Sequence, residues 1–383
     1  MRLSIFFTAI FFILGACTEK SQNAFTLTGK INGLDGENIY LLYYPDYSDY
    51  TTNINQRIDT TVIVDGRFEF RGELKSPMTL GALIVGDMYG QNQNCQLFIE
   101  PTAMTAVIDG DKLVEAKITG SVSHAQWDSL MQLKSRLTSQ TLQIYERASC
   151  ETDVEKRSAI KAEAEPLQQK ISNLARDFIR THRGSLVSPY LLISEMGKMS
   201  YKDIKEAYDS FTDHVLKYGN VKDIENELKT LARIQPGQSA PEISAIDVNG
   251  CNVTLSSLKG KYVILDFWAS WCVPCRQSFP HIKQLYDKYH NKGLEVFCVA
   301  DNDDSEDKWR EAIEKDGVKM FIHVLRGIRR DAQTQKLDRS NDISNAYAVH
   351  YLPTKYLIDK DGKIVGKFGD VNLDAKLKEI FGE

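Results

Sequence analysis

Cys272 and Cys275 in Trp271-Cys272-Val273-Pro274-Cys275 are the pair on which chemistry can be built. The thiolate is the nucleophilic form of cysteine, and a free thiol with a pKa of about 8.5 supplies little of it at neutral pH. The apolar run Tyr262–Trp268 predicts a buried strand, and the residues from about Cys275 to Tyr289 predict a helix. Cys272 then stands where a strand hands over to a helix, where the positive end of the backbone dipole favours a thiolate. Such a thiolate attacks a disulfide and forms a mixed disulfide. Cys275, one helical turn inward, is placed to attack that bond and release the reduced partner. Pro274 restricts the backbone between the two sulfurs. The same pair is also half of a zinc site, but zinc takes four ligands. No second Cys pair or His-x-x-x-His run accompanies it, and His281 and His290 are poorly spaced to complete it. Dithiol–disulfide exchange without metal or cofactor is the expected chemistry.

The elements that must hold this pair follow from the pattern between residues 235 and 383. Gln235-Pro236-Gly237-Gln238-Ser239-Ala240-Pro241 reads as a linker. Short strands are expected at Ile243–Asp247 and Val253–Leu255 around the Asn249-Gly250 turn. Beyond the Cys pair come a strand at Leu294–Ala300, a helix at Ser305–Asp316 and a strand at Met320–Leu325. Thr354–Ile358 and Ile364–Phe368 flank Asp361-Gly362 as a hairpin, and Leu373–Phe381 closes as a helix. Strands alternating with helices predict a mixed α/β sheet.

The chain is longer than one ordinary domain, with 383 residues, of which 42% are hydrophobic and 10% aromatic, enough for real cores. Its net charge of −5, with acids and bases mixed, has none of the basic footprint of a nucleic-acid binder. Residues 24–120 carry β signals: even spacing at Phe25, Leu27 and Ile31, and a hairpin signature at Thr61–Val64, Asp65-Gly66 and Arg67–Arg71. The cluster Tyr40, Tyr43, Tyr44, Tyr47 and Tyr50 reads first as core packing and second as a binding surface. Residues 121–234 change to a helical period, with Trp127, Leu130, Leu133 and Leu137 on one face and Pro166 starting or kinking a helix. The expected architecture is therefore multidomain: an all-β N-terminal domain, a helical middle segment and an α/β C-terminal domain.

At the N-terminus, Arg2 precedes the apolar run Ile5–Leu14, which is about half the length a membrane-spanning helix needs. It reads as the apolar core of a secretory signal. Leu14-Gly15-Ala16-Cys17 resembles a bacterial lipobox, which implies residues 1–16 as a signal peptide and Cys17 as the lipid-attachment site. Of the seven cysteines, Cys298 in Leu294–Ala300 reads as a small buried hydrophobe. Pairing among Cys95, Cys150 and Cys251 stays open.

The sequence Asp266-Phe267-Trp268-Ala269-Ser270-Trp271 leading into the Cys pair resembles the thioredoxin superfamily, in particular envelope reductases of the TlpA/ResA type. The likeness runs over about Pro236–Glu383 and includes Gly237–Pro241, Leu255–Lys261, Tyr347, Val349, Pro353-Thr354 and Leu357-Ile358-Asp359. It implies a thioredoxin-like fold for 235–383. It also implies that Asp266 is the buried acid beneath the disulfide, taking the proton of Cys275, and that Pro353 is a cis-proline facing the pair. Leu352 and Thr354 become substrate contacts through their backbone, Trp271 flanks the reactive sulfur, and Trp268 belongs to the core. Two features depart from the family: no Lys occurs in Leu294–Ala300 to accompany Asp266, and Arg276, Gln277 and Ser278 stand where a Glu can follow the second Cys. The β stretch resembles an uncharacterised domain found ahead of thioredoxin modules in envelope lipoproteins.

These readings predict a reductase of envelope protein disulfides, re-reduced by a membrane electron donor and anchored by lipid. It would face the periplasm, from the outer membrane rather than the inner. A thiol peroxidase is excluded, because it needs a Thr three residues before the reactive Cys and a Pro six before, where Ala269 and Asp266 stand. A disulfide oxidase or isomerase shares every catalytic part, and a binding lipoprotein with an accessory thioredoxin domain stays open beside it. Arg326–Arg339, rich in Arg, reads as a solvated loop or a partner-docking loop.

Overall fold

All of Tyr262–Trp268 except its first residue is buried, and all seven residues of Leu294–Ala300 are. Such runs are what a parallel sheet covered on both faces requires. The computed structural model describes residues 22–47, 55–87, 94–110, 112–330 and 337–382. The chain divides into two compact units, the first reaching Leu174 with 184–187 and 213–220, the second holding the rest.

In the first unit, β1 (Ala24–Ile31), β4 (Arg67–Glu73), β7 (Ala103–Ile108) and β8 (Lys117–Thr119) form one sheet in the order β4-β1-β7-β8. Strands β2 (Asn38–Tyr43), β3 (Arg57–Val62), β5 (Thr79–Val85) and β6 (Asn94–Ile99) form another, β3-β2-β5-β6. Phe25, Leu27 and Ile31 from the first sheet share a core with Ile39, Leu41 and Tyr43 from the second, as in a sandwich. Tyr43, Tyr44 and Tyr47 are buried, whereas Tyr50 lies outside the described residues. The expected hairpin holds only at its tip. Asp65 and Gly66 take positive φ and a single bridge joins Val64 to Arg67. Strands β3 and β4 then part into different sheets, with Ile63 buried at the corner. A Cβ on Gly66 would approach the Ile31 carbonyl oxygen to 2.8 Å, so this corner needs glycine twice over.

The helices are α1 (Val122–Cys150), α2 (Val154–Ala162), α3 (Glu165–Thr181), α4 (Val187–Glu195), α5 (Tyr201–Asp209), α6 (Asp213–Tyr218) and α7 (Lys222–Arg233). Pro166 falls in the first turn of α3, where a missing N–H costs nothing. The helical stretch is shared between the two units.

The second unit is built on five strands ordered β13-β12-β11-β16-β17: β11 (Tyr262–Trp268), β12 (Leu294–Ala300), β13 (Ile322–Leu325), β16 (Thr354–Ile358) and β17 (Ile364–Phe368). Strands β12 and β13 run parallel with β11, and β16 pairs antiparallel with both β11 and β17. One face, carrying Ile264, Trp268 and Cys298, packs on α8 (Val273–Tyr289), α9 (Glu306–Asp316) and α11 (Asp370–Phe381). The other face, with Val263, Leu265, Phe267 and Phe297, packs on Tyr347 and Val349 beside α10 (Ile343–Ala346). A small ladder of β9 (Ser244–Ile246) and β10 (Asn252–Thr254) precedes the sheet. The architecture is thus N-terminal β sheets, a helical middle and a C-terminal α/β domain of thioredoxin-like topology.

The Arg-rich segment is not simply a solvated loop. Arg326, with its side chain 16% exposed, donates to Asp342 at 2.7 and 2.9 Å and to Asp301 at 3.0 Å. Buried Asp342 also accepts from Arg339 at 3.1 Å. Strands β14 (Arg329–Arg330) and β15 (Leu337–Asp338) pair beyond it, and residues 331–336 lie outside the described residues.

Candidate active site

Strand β11 ends at Trp268, and the three residues Ala269–Trp271 lead to Cys272, the N-cap of α8. The Cys272 sulfur accepts the Cys275 N–H at 3.3 Å, so the cap that Ser or Asp supplies elsewhere is here the candidate nucleophile. Pro274 sits in the first helical turn, where no intrahelical donor is lost. Cys272 and Cys275 form a disulfide with Cα atoms 5.3 Å apart. Cys272 is 5% exposed and Cys275 1%, so an incoming group meets Cys272 first. Trp271 stands 65% exposed beside it, and Trp268 is buried in the core. A cleft next to Trp271 is lined by Ser270, Arg276, Lys308, Glu311 and Lys315.

The turn is braced by a residue that the motif does not contain. Asn302, fully buried, accepts the Ser270 N–H at 2.7 Å and donates to the hydroxyls of Ser270 at 2.8 Å and Ser305 at 3.0 Å. Arg276, the residue after the second cysteine, is committed to Asp316 through two bonds of 2.7 Å. Ser278 is buried and donates to the Cys275 carbonyl at 2.8 Å.

Asp266 lies between Ile264 and Trp268 on the helix-covered face of β11, the face whose core includes the Cys pair, 1% exposed, with neither carboxylate oxygen hydrogen-bonded. Burial pushes its pKa up to about 7; Lys355 pulls against that shift and Asp370 adds to it. Across the sheet, Asp266 stands opposite Cys298 on β12 and opposite Lys355 on β16. Burial holds the Cys298 thiol well above its usual range, and Asp266 reinforces this. Cys298 is in turn opposite His323, whose pKa burial depresses to about 4 while its Nε2–H donates to the Val318 carbonyl at 2.9 Å. The sequence reading sought a basic partner for Asp266 only on β12 and missed Lys355. The signal was present: a lone Lys in Thr354-Lys355-Tyr356-Leu357-Ile358, all five of which are buried.

The Leu352–Pro353 bond is cis. Leu352 packs against the cluster that contains both cysteines. Thr354 opens β16, 2% exposed, with its hydroxyl donated to the Tyr351 carbonyl at 2.9 Å, so its side chain is turned away from any docking partner. Cys17 lies outside the described residues. Among the described residues no group of acidic, His or Cys side chains is arranged to hold a metal ion.

The family model described as Redoxin matches residues 235–380, and one described as a domain of unknown function (DUF4369) matches 25–127. The thiol-disulfide oxidoreductase ResA of Bacillus thuringiensis (strain Al Hakam) is 34% identical over 152 residues, covering 39% of this chain and 80% of that protein. ResA of Bacillus subtilis (strain 168) is 33% identical over 132 residues, covering 34% and 66%. A crystal structure of the thioredoxin domain of a thiol-disulfide oxidoreductase from Bacteroides vulgatus is 33% identical, covers 37% of this chain and 97% of that chain, and gives a TM-score of 0.32. With its Cys272–Cys275 pair seated at the head of α8 and its sequence likeness spanning most of the Bacillus thuringiensis relative, the chain belongs to the ResA family of thiol-disulfide oxidoreductases.

Proposed function

We propose that the chain is a lipid-anchored envelope reductase that donates electrons from Cys272/Cys275 to disulfides of exported proteins and is re-reduced by a membrane electron donor. The observation that carries the direction is the poor stabilisation available to a thiolate at this site. A strong oxidant owes its potential to a stabilised reduced form. Here the Cys272 sulfur accepts one N–H, the Arg276 guanidinium is tied to Asp316, and Asp266 adds a buried acid on the face of the sheet that the pair covers. That balance favours the disulfide over the dithiol, which is what a reductant needs.

In the working cycle the Cys272 thiolate attacks one sulfur of the client disulfide, and the bond's electron pair leaves on the other client sulfur. Asp266, as carboxylate, takes the Cys275 proton. The Cys275 thiolate attacks the Cys272 sulfur, breaks the mixed disulfide and frees the second client thiol. The client gains two electrons and the Cys pair becomes a disulfide. Trp271 and the backbone on either side of Pro353 are the proposed docking surface. Support for the anchor and the periplasm-facing location comes from Arg2, Ile5–Leu14 and the Leu14-Gly15-Ala16-Cys17 ending. No helix of the described residues is long and apolar enough to cross a membrane.

The test is the reduction potential of the pair, titrated against dithiothreitol or glutathione in the chain lacking residues 1–17. A value near or below about −270 mV is expected, and one approaching about −120 mV would make the protein an oxidant of secreted thiols instead.

A further inference from the structure

The departure at β12, where Cys298 rather than a Lys faces Asp266, is answered from the other side of the strand. Lys355 is 4% exposed and lies directly opposite Asp266 in the β11/β16 register. Directly opposed residues share a face of the sheet, with Cβ atoms about 4.5–5.5 Å apart. Lys355 Nζ makes an ion pair at 3.1 Å with Oδ1 of Asp370, the first residue of α11. Asp370 turns that oxygen into the protein while its side chain stays 43% exposed. A buried ammonium without a counter-charge costs several kcal/mol, so Asp370 compensates Lys355, while Asp266, which makes no hydrogen bond, lies in the field of that pair.

We propose that the Lys355–Asp370 ion pair is a positioning element of the exchange reaction, with Lys355 holding Asp266 as the anion that takes the Cys275 proton and Asp370 joining the pair to solvent. This rests on the reading of Asp266 as the base for Cys275. The groups facing Asp266 leave this pair as its source of field. Cys298 from β12 is held as a neutral thiol, His323 beyond it is held neutral, and Cys275 from α8 is the proton donor. His281 of α8 and Asp374 of α11 engage each other at 2.7 Å.

The test uses the reduced full-length chain, with the exposed thiols Cys150 and Cys251 changed to Ser in every variant, and an aromatic disulfide whose released thiol is coloured. Attack by Cys272 releases the first aromatic thiol, and attack by Cys275 on the mixed disulfide releases the second. The rate of the second release is followed against pH, where a required carboxylate gives a rising limb. Lys355→Met, which keeps an unbranched side chain one atom shorter and without charge, is expected to move the midpoint up by about one unit, a tenfold slower release on its acid side. Asp370→Asn is expected to move it down, and Lys355→Arg to leave it in place. Opposite shifts from the two members of one ion pair are not what a loss of packing produces. Asp266→Asn is expected to remove the rising limb. If it does, but Lys355→Met and Asp370→Asn leave the midpoint unmoved or shift it the same way, the ion-pair proposal is overturned and Asp266 keeps its role. If Asp266→Asn leaves the profile intact, the reading of Asp266 fails and the proposal falls with it.

Discussion

Substituting Asp266 by Asn should stabilise the protein above neutral pH and leave it unimproved in acid. The carboxyl is fully enclosed, and burial raises its pKa from 3.8 to about 7. Between those values the folded chain retains a proton that the unfolded chain releases. Stability therefore falls as pH rises from about 4 to about 7 and stays level above. At about 1.36 kcal/mol per unit the accumulated loss is about 4 kcal/mol. Asn keeps the size and shape but never ionises, so its advantage grows across that window and should reach up to about 4 kcal/mol at pH values above 7. Urea unfolding of the oxidised chain, followed by tryptophan fluorescence, reads this directly, since Trp268 and Trp309 are both buried in the same cluster as the Cys pair. The decisive quantity is the difference in pH slope between the two proteins. Parallel slopes from acid to neutral pH would mean that Asp266 ionises as freely folded as unfolded and is no desolvated base.

Two further outcomes bear on the proposed function. Trp271→Ala removes a 65% exposed side chain, so stability should change by less than about 0.5 kcal/mol. Exchange with a protein disulfide should slow about tenfold, as expected for an aromatic anchor, while exchange with dithiothreitol holds steady; equal loss toward both substrates would remove Trp271 from the docking surface. Cys17→Ser, expressed with its leader, should shift the chain from the membrane fraction to the soluble fraction and abolish incorporation of labelled fatty acid. Retention in the membrane would show that something other than Cys17 holds it there.

What was legible in the sequence was what lies close together along the chain. Tyr262–Trp268 announces a strand covered on both faces because its apolar residues run without alternation, and β11 has those bounds. Asp361-Gly362 announces a turn because Gly362 must take positive φ, as it does. The Cys pair and its helix share one short segment. The brace by Asn302 was invisible, since nothing local distinguishes a buried Asn in an acidic loop from a solvated one. Only the return of β12 beside β11 brings its amide to Ser270. The Asp65-Gly66 turn misled for the related reason that two residues define a tip and not the sheet to which each arm belongs. Lys355 itself stood out as a lone Lys in an otherwise uncharged strand, but what it faces did not. Its partner is set by antiparallel register across two strands far apart in sequence, and a search along the neighbouring parallel strand could not reach it.

The row of cross-strand neighbours through Asp266 is lopsided, and the asymmetry has a physical consequence. On the β12 side of Asp266 stand a thiol and an imidazole that burial keeps uncharged at neutral pH. On the β16 side stand an ammonium and a carboxylate, the latter reaching water. A proton passed from Cys275 to Asp266, as proposed, would therefore meet no titrating group in one direction and a charged, partly hydrated pair in the other. Against a whole-domain stability of about 5–15 kcal/mol, a buried acid costing on the order of 4 kcal/mol is a large outlay. An apolar side chain at 266 would pack the same face of β11 at no such cost. The cost is intelligible if Cys275, 1% exposed and shut off from bulk water, needs a base that is already inside.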